Sequence, residues 1–133
     1  FPDAIDFLQR TEWDVRRHGF VTTPGGYKLY VPEETPYAGV NYKVQGSEGE
    51  IVKRAQYGIQ AYLDAKLRDP SDMYMTLYIH DELLFDGEVG LAHQHVGPIV
   101  RIMNDAAMSY GMPSKAEVKH ITTNWAEGKK ISV

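Results

Sequence analysis

Met73-Tyr74-Met75-Thr76-Leu77-Tyr78-Ile79-His80-Asp81-Glu82-Leu83-Leu84-Phe85 is the stretch on which the fold turns. Two apolar runs, Met73 to Tyr78 and Leu83 to Phe85, flank a compact polar cluster. Met75, Leu77 and Ile79 alternate with Thr76 and Tyr78, the period of a half-buried strand, and the polar triplet breaks that rhythm where a tight reversal falls. The pattern predicts a hairpin over Met73–Phe85 with carboxylates at its tip. Mg2+ dehydrates reluctantly and is held through one or two protein carboxylates plus substrate phosphates, so a carboxylate on a stiff tip suits phosphoryl chemistry. Asp81 and Glu82 are consecutive and point to opposite faces of an extended strand, so at most one of them meets a metal squarely unless the turn bends both inward. His, Asp and Glu are also ordinary turn residues, and a plain solvated reversal is the competing reading.

Upstream, Asn41-Tyr42-Lys43-Val44-Gln45-Gly46-Ser47 leads into Glu48 to Leu67, where Ile51, Val52, Ala55, Ile59, Tyr62 and Leu63 fall at helical spacing. This predicts an amphipathic helix with one buried stripe. If its first turns include Asn41 and Gln45, the two amides share a face near the positive end of the macrodipole. The minor groove offers the same acceptors, purine N3 and pyrimidine O2, at every base pair, so two amide donors can hold a duplex without reading its sequence. The alternative makes Asn41 a helix cap and Gln45 a solvated side chain.

The remaining elements follow from punctuation. Phe1 to His18 reads as a helical segment closed by Gly19, and Phe20 to Pro32 as a hairpin turning at Pro24-Gly25-Gly26. Glu33 to Gly39 is a proline-bearing connection, and Asp69-Pro70-Ser71-Asp72 follows the long helix. A second helix is predicted from Glu88 to Tyr110, burying Leu91, Val96, Ile99, Val100, Met103 and Ala107 and stopped by Gly111-Met112-Pro113. Ala116 to Thr122 is a last strand. The expected class is α+β: one domain, with a small antiparallel sheet packed against two long helices.

At 133 residues, 43% hydrophobic and 24% charged, the chain can bury one core. Zero cysteines exclude a disulfide framework and a thiolate metal site. No signal peptide or membrane-spanning run is read, and a cytoplasmic location is expected. A net charge of -4 argues against a free-standing nucleic-acid binder, which needs clustered Lys and Arg. A start at Phe1 rather than Met points to processing or to a cut within a longer reading frame. His93 and His95 face different ways on a helix and make a poor zinc pair, and Lys129-Lys130 reads as a solvated tail. Of the nine tyrosines, Tyr57, Tyr62, Tyr74 and Tyr78 lie on apolar faces and are assigned to core or interface packing, because stacking on bases needs exposed rings beside basic residues.

These segments carry a resemblance. The chain resembles the C-terminal part of the palm of family A DNA polymerases, the bacterial DNA polymerase I type, and within it a divergent bacteriophage member. Gly19-Phe20-Val21-Thr22-Thr23 with Gly26 and Tyr30-Val31-Pro32 is similar to the family's Gly-Tyr-Val-x-Thr, glycine and arginine-rich hairpin. Asn41-x-x-x-Gln45-Gly46 with Glu50-Ile51-Val52-Lys53-Arg54-Ala55 is similar to its Asn-x-x-x-Gln-Gly-x-x-Ala-Asp-Ile-x-Lys helix. Ile79-His80-Asp81-Glu82 stands where the family has its Val-His-Asp-Glu motif C, and Ala116-Glu117-Val118-Lys119 followed by Asn124-Trp125 resembles the closing strand. Two departures stand out: the arginine run reads Tyr27-Lys28-Leu29, and Glu48 follows where small residues are usual.

The resemblance implies template-directed nucleotidyl transfer. It assigns Asp81 to a catalytic Mg2+, Glu82 to an auxiliary role, His80 to the primer end, Asn41 and Gln45 to the primer-template minor groove, and Lys28 to backbone phosphate. The two-metal site is complete only with the aspartate of motif A, which, with the fingers helix, is expected outside this chain. Primer-template DNA, dNTP and the rest of the polymerase are the implied partners, and the isolated chain is expected to be inactive. Two other readings stand beside it: a split-polymerase subunit docking on a partner, and an unrelated metal-dependent hydrolase using His80, Asp81 and Glu82.

Overall fold

The computed structural model describes residues 1–132, which fall into two compact units, residues 1–50 and 51–132. In the first, Thr11 and Val15 sit four apart on the inner face of α1 (Pro2–His18). Asp3 in its first turn and Arg16, Arg17 and His18 in its last complement the helix dipole. The helix ends because Gly19 takes φ 76°, ψ 6°, which lets its N–H donate to the Val15 carbonyl at 2.7 Å. β1 (Phe20–Thr22) and β2 (Lys28–Tyr30) then pair antiparallel, Val21 opposite Leu29. Val15, Val21 and Val31 form the core, edged by Leu29 and Ala38. A short 3-10 turn, Pro36–Ala38, leads into α2 (Gly39–Lys66). Gly46 of α2 lies so close to the hairpin that a Cβ there would overlap the Leu29 side chain.

In the second unit the expected stripe holds. Val52, Ala55, Ile59 and Leu63 are buried, Ile59 completely, with Ile51 and Tyr62 half-buried beside them. Each fully buried aliphatic side chain of this kind contributes roughly 1.5–3 kcal/mol. Met73 of β3 (Met73–Ile79) and Ile99 and Ala106 of α3 (Val89–Met108) complete the core, and Leu83 and Phe85 of β4 (Glu82–Gly87) pack on it. Glu88 caps α3, accepting the N–H groups of Gly90 at 2.9 Å and Leu91 at 2.8 Å. These contacts hold its carboxyl below the usual range. β5 (Val118–His120) pairs antiparallel with β6 (Lys129–Ile131).

The α+β class holds, with its strands in three two-stranded antiparallel ladders. Four details differ from the sequence reading. The β3 alternation is interrupted: Met75 pairs with Phe85 and Leu77 with Leu84, so Thr76 is an extra residue, a bulge whose Oγ1 donates to the Leu84 carbonyl at 3.2 Å. Tyr78, opposite Leu83, therefore shares the face of Met75, and Leu77 turns to the other face, 54% exposed. In α3 the buried side is centred on Ile99, Ala106 and Ala107, whereas Leu91, Val96, Val100 and Met103 are only half-buried. The last strand is shorter than Ala116–Thr122, covering Val118–His120. Lys129 and Lys130 are strand residues rather than a tail, with Lys130 ion-paired to Glu117 at 2.7 Å. Among the described residues no helix is long and apolar enough to cross a membrane.

Candidate metal and nucleic-acid contact sites

Ile79 pairs with Glu82, so the reversal between β3 and β4 consists of His80 and Asp81 alone. Glu82 is already the first residue of β4. A two-residue hairpin matches the right-handed twist of its strands only with positive φ at the tip, which is why glycine is usual there. Here His80 takes that role at φ 53°, the one non-glycine residue with positive φ among the described residues. An L side chain in this region costs on the order of 1–2 kcal/mol, strain of the sort that collects at functional tips.

His80, Asp81 and Glu82 are all exposed. Asp81 makes no hydrogen bond or ion pair among the described residues, so its oxygens are unspent. Glu82 is less free: Lys119 of β5 stands 3.7 Å from its Oε1, with both side chains nearly half exposed. Such an exposed pair contributes little to stability, but it places a competing cation beside one of the two carboxylates. Hard carboxylate oxygens are the donors Mg2+ prefers, and this pair fits part of its shell. Among the described residues, no group of three or more His, Asp or Glu is arranged to hold a metal ion.

Asn41 and Gln45 lie inside α2, which starts at Gly39, so Asn41 is an internal helical residue rather than the cap. Both side chains are exposed and one turn apart. Glu48, seven residues on from Asn41 and also exposed, falls on the same stripe. The amide face thus carries an acid. Lys28 opens β2, opposite Thr22, with its Nζ 4.6 Å above the Phe20 ring.

His93 and His95 do engage different partners. The His93 ring meets that of His120 edge-on at 5.6 Å, and His95 Nδ1 hydrogen-bonds the Tyr62 hydroxyl at 2.9 Å. Two residues escaped the sequence reading. Glu50 accepts hydrogen bonds from the Thr23 hydroxyl and from Gly25 N–H at 2.9 Å, tying the first hairpin's loop to α2. Lys119 reaches Glu82 from far along the chain. No local pattern marks either, because each contact spans more than a helical or hairpin repeat.

Comparison with known proteins gives a consistent result. The family model described as DNA polymerase family A matches residues 1–127. The DNA polymerase I of Pseudomonas aeruginosa is 28% identical over 137 residues, spanning 96% of this chain and 14% of the relative. The DNA polymerase I of Rhizobium leguminosarum is 28% identical over 141 residues, with the same two shares, 96% and 14%. A solved structure, the POL domain of Pol1 from M. smegmatis in complex with DNA primer-template and dNTP, superposes with a TM-score of 0.69 at 27% identity, over 80% of this chain and 20% of that one. The chain spans about one seventh of the length of these curated relatives, 14%.

Proposed function

Because the chain belongs to DNA polymerase family A, we propose that it is the C-terminal palm segment of a DNA-directed DNA polymerase, with Asp81 as a catalytic metal ligand. The observation that carries this reading is the tip of the second hairpin. A two-residue reversal holds Asp81 exposed and, among the described residues, without an internal partner, one residue after a His in a strained conformation. A carboxylate placed so has no structural task, yet the backbone ladder on either side fixes its position.

In this role Asp81 offers oxygens to Mg2+, which when bound neutralises charge on the transferred phosphoryl group. Glu82, engaged by Lys119, serves as an auxiliary acid. His80 reaches toward the primer terminus. Asn41 and Gln45 offer amide donors to minor-groove acceptors common to every base pair, so they hold primer-template DNA without selecting its sequence. Lys28 is the phosphate contact of the first hairpin. A two-metal clamp needs carboxylates from separate strands, and one hairpin supplies one side, so the second acid belongs to another part of the polymerase. The setting is cytoplasmic, with primer-template DNA, dNTP and the remaining polymerase as partners.

Primer extension by the polymerase carrying this segment tests the reading. Asp81→Asn should lower the rate by about a thousandfold or more while leaving the circular dichroism spectrum as it was. Wild-type extension by that variant would remove Asp81 from the chemistry. On the helix face, Glu48→Gln should tighten primer-template binding a few-fold, since the acid stands on the amide stripe.

A further inference from the structure

The first unit carries a series of rings that its core does not use. Phe20 and Tyr30 are cross-strand partners and face away from Val21 and Leu29, while Trp13 lies on the opposite side of α1 from Thr11 and Val15. Trp13 is 54% exposed and Tyr30 74%. The rings succeed one another: Trp13 to His18 at 6.3 Å and 83°, His18 to Phe20 at 5.8 Å and 37°, Phe20 to Tyr30 at 5.8 Å and 66°. Two cations lie over this series, the Arg17 guanidinium 4.9 Å from the Trp13 centroid and Lys28 Nζ 4.6 Å from that of Phe20. Among the described residues neither is ion-paired, whereas neighbouring Arg16 is held by Glu12 at 2.6 Å.

We propose that this surface binds single-stranded DNA, with bases stacked on Trp13 and Tyr30 and phosphates against Arg17 and Lys28. An exposed ring with a cation above it, as at Trp13, and a second exposed ring at Tyr30 with Lys28 on the same face of the hairpin are what a base-stacking platform requires. A base arriving on the Trp13 face takes the place of the Arg17 guanidinium, which swings to the phosphate alongside and trades a cation–π contact for a charge-assisted one. Paired bases present edges rather than faces, so the surface favours an unpaired strand. Asp14, which lines the cleft beside His18, Phe20 and Thr22, is the acid that opposes it. The inference does not depend on the chemistry of Asp81.

Fluorescence anisotropy of a labelled oligothymidylate of roughly twelve nucleotides, titrated with the 133-residue chain, is the test. Trp13→Ala and Tyr30→Ala should each weaken binding by about tenfold. Lys28→Ala should lower the salt slope by about 0.7. Asp14→Asn should tighten binding. In a Trp125→Phe background the remaining Trp13 emission should be quenched as the oligonucleotide binds, a readout that stands even if an alanine variant fails to fold. The proposal is overturned by unquenched Trp13 emission, by folded alanine variants with wild-type affinity, or by a blunt duplex of the same length that quenches Trp13 emission at an equal or lower concentration. Any of these leaves the primer-extension test of Asp81 untouched, because that assay reads catalysis and this one reads capture of an unpaired strand.

Discussion

Between β1 and β2 the reversal runs from Thr23 to Tyr27 and is anchored from outside the hairpin, its Thr23 hydroxyl and Gly25 N–H both given to Glu50. Between β3 and β4 it takes His80 and Asp81 alone, and among the described residues no side chain reaches the Asp81 carboxylate. In the first loop the polar groups are spent on the fold, and Thr23 is buried. In the second they are unspent, and the backbone carries strain at His80. A loop whose hydrogen bonds are satisfied internally contributes to stability, and one whose carboxylate is left over has capacity for a ligand. The first loop thus spends its polar groups on the fold, and the second keeps a carboxylate to spare.

The sharpest way to break this contrast is Asp81→Asn. If the second tip is chemical rather than structural, primer extension should fall by about a thousandfold or more, with the thermal unfolding midpoint within a degree or two of the parent. Glu50→Ala should do the reverse in kind. It leaves the Thr23 hydroxyl and Gly25 N–H without their acceptor and should cost about 1–3 kcal/mol in denaturant unfolding. An unchanged midpoint there would show that the first loop is not held by Glu50.

Strain at the second tip can be measured by comparing two substitutions that both delete the imidazole. At φ 53° alanine retains the steric conflict and glycine does not, so His80→Gly should be more stable than His80→Ala by about 1 kcal/mol. Equal stabilities would mean that the tip relaxes freely. The smallest effect is expected just beyond β4. The N–H groups of Gly90 and Leu91 depress the Glu88 carboxyl, so its contribution is complete above the unfolded-state carboxylate value and is lost as pH falls through the folded one. The stability gap between the parent and Glu88→Gln should therefore be small at neutral pH and close as pH drops below about 4. A gap that widened in acid would contradict the cap.

How much of this was legible depends on the range of the forces involved. The α2 stripe of Ala55, Ile59 and Leu63 was readable because burial on a helix repeats at a fixed period. The hairpin tip was readable because a polar pair between two apolar runs has few other uses. Residues Asn41 and Gln45 came out on one exposed face, as their spacing required, but their shared stripe with Glu48 became certain only once the helix was seen to start at Gly39. The bulge at Thr76 was not legible. Met75, Leu77 and Ile79 alternate faithfully, and only the register against Phe85 and Leu84 shows that the alternation changes face part-way. Glu50 and Lys119 were hidden for a related reason, since both act on partners distant in sequence. β6 was misread as a tail because its length and two lysines lack any strand rhythm.

The extra residue at Thr76 has one more consequence. If it were excised, Met75 would still oppose Phe85, Leu77 would still oppose Leu84, and Ile79 would still close on Glu82. No partner would change and no side chain would swap sides. What would vanish is the local bend and added twist that a bulge imposes on its strand, and with it the direction in which the two-residue tip is aimed. In this hairpin, then, the pairing carries the identity of each neighbour and the count of residues carries the aim, so chain length alone can swing the carboxylate without altering any group that surrounds it.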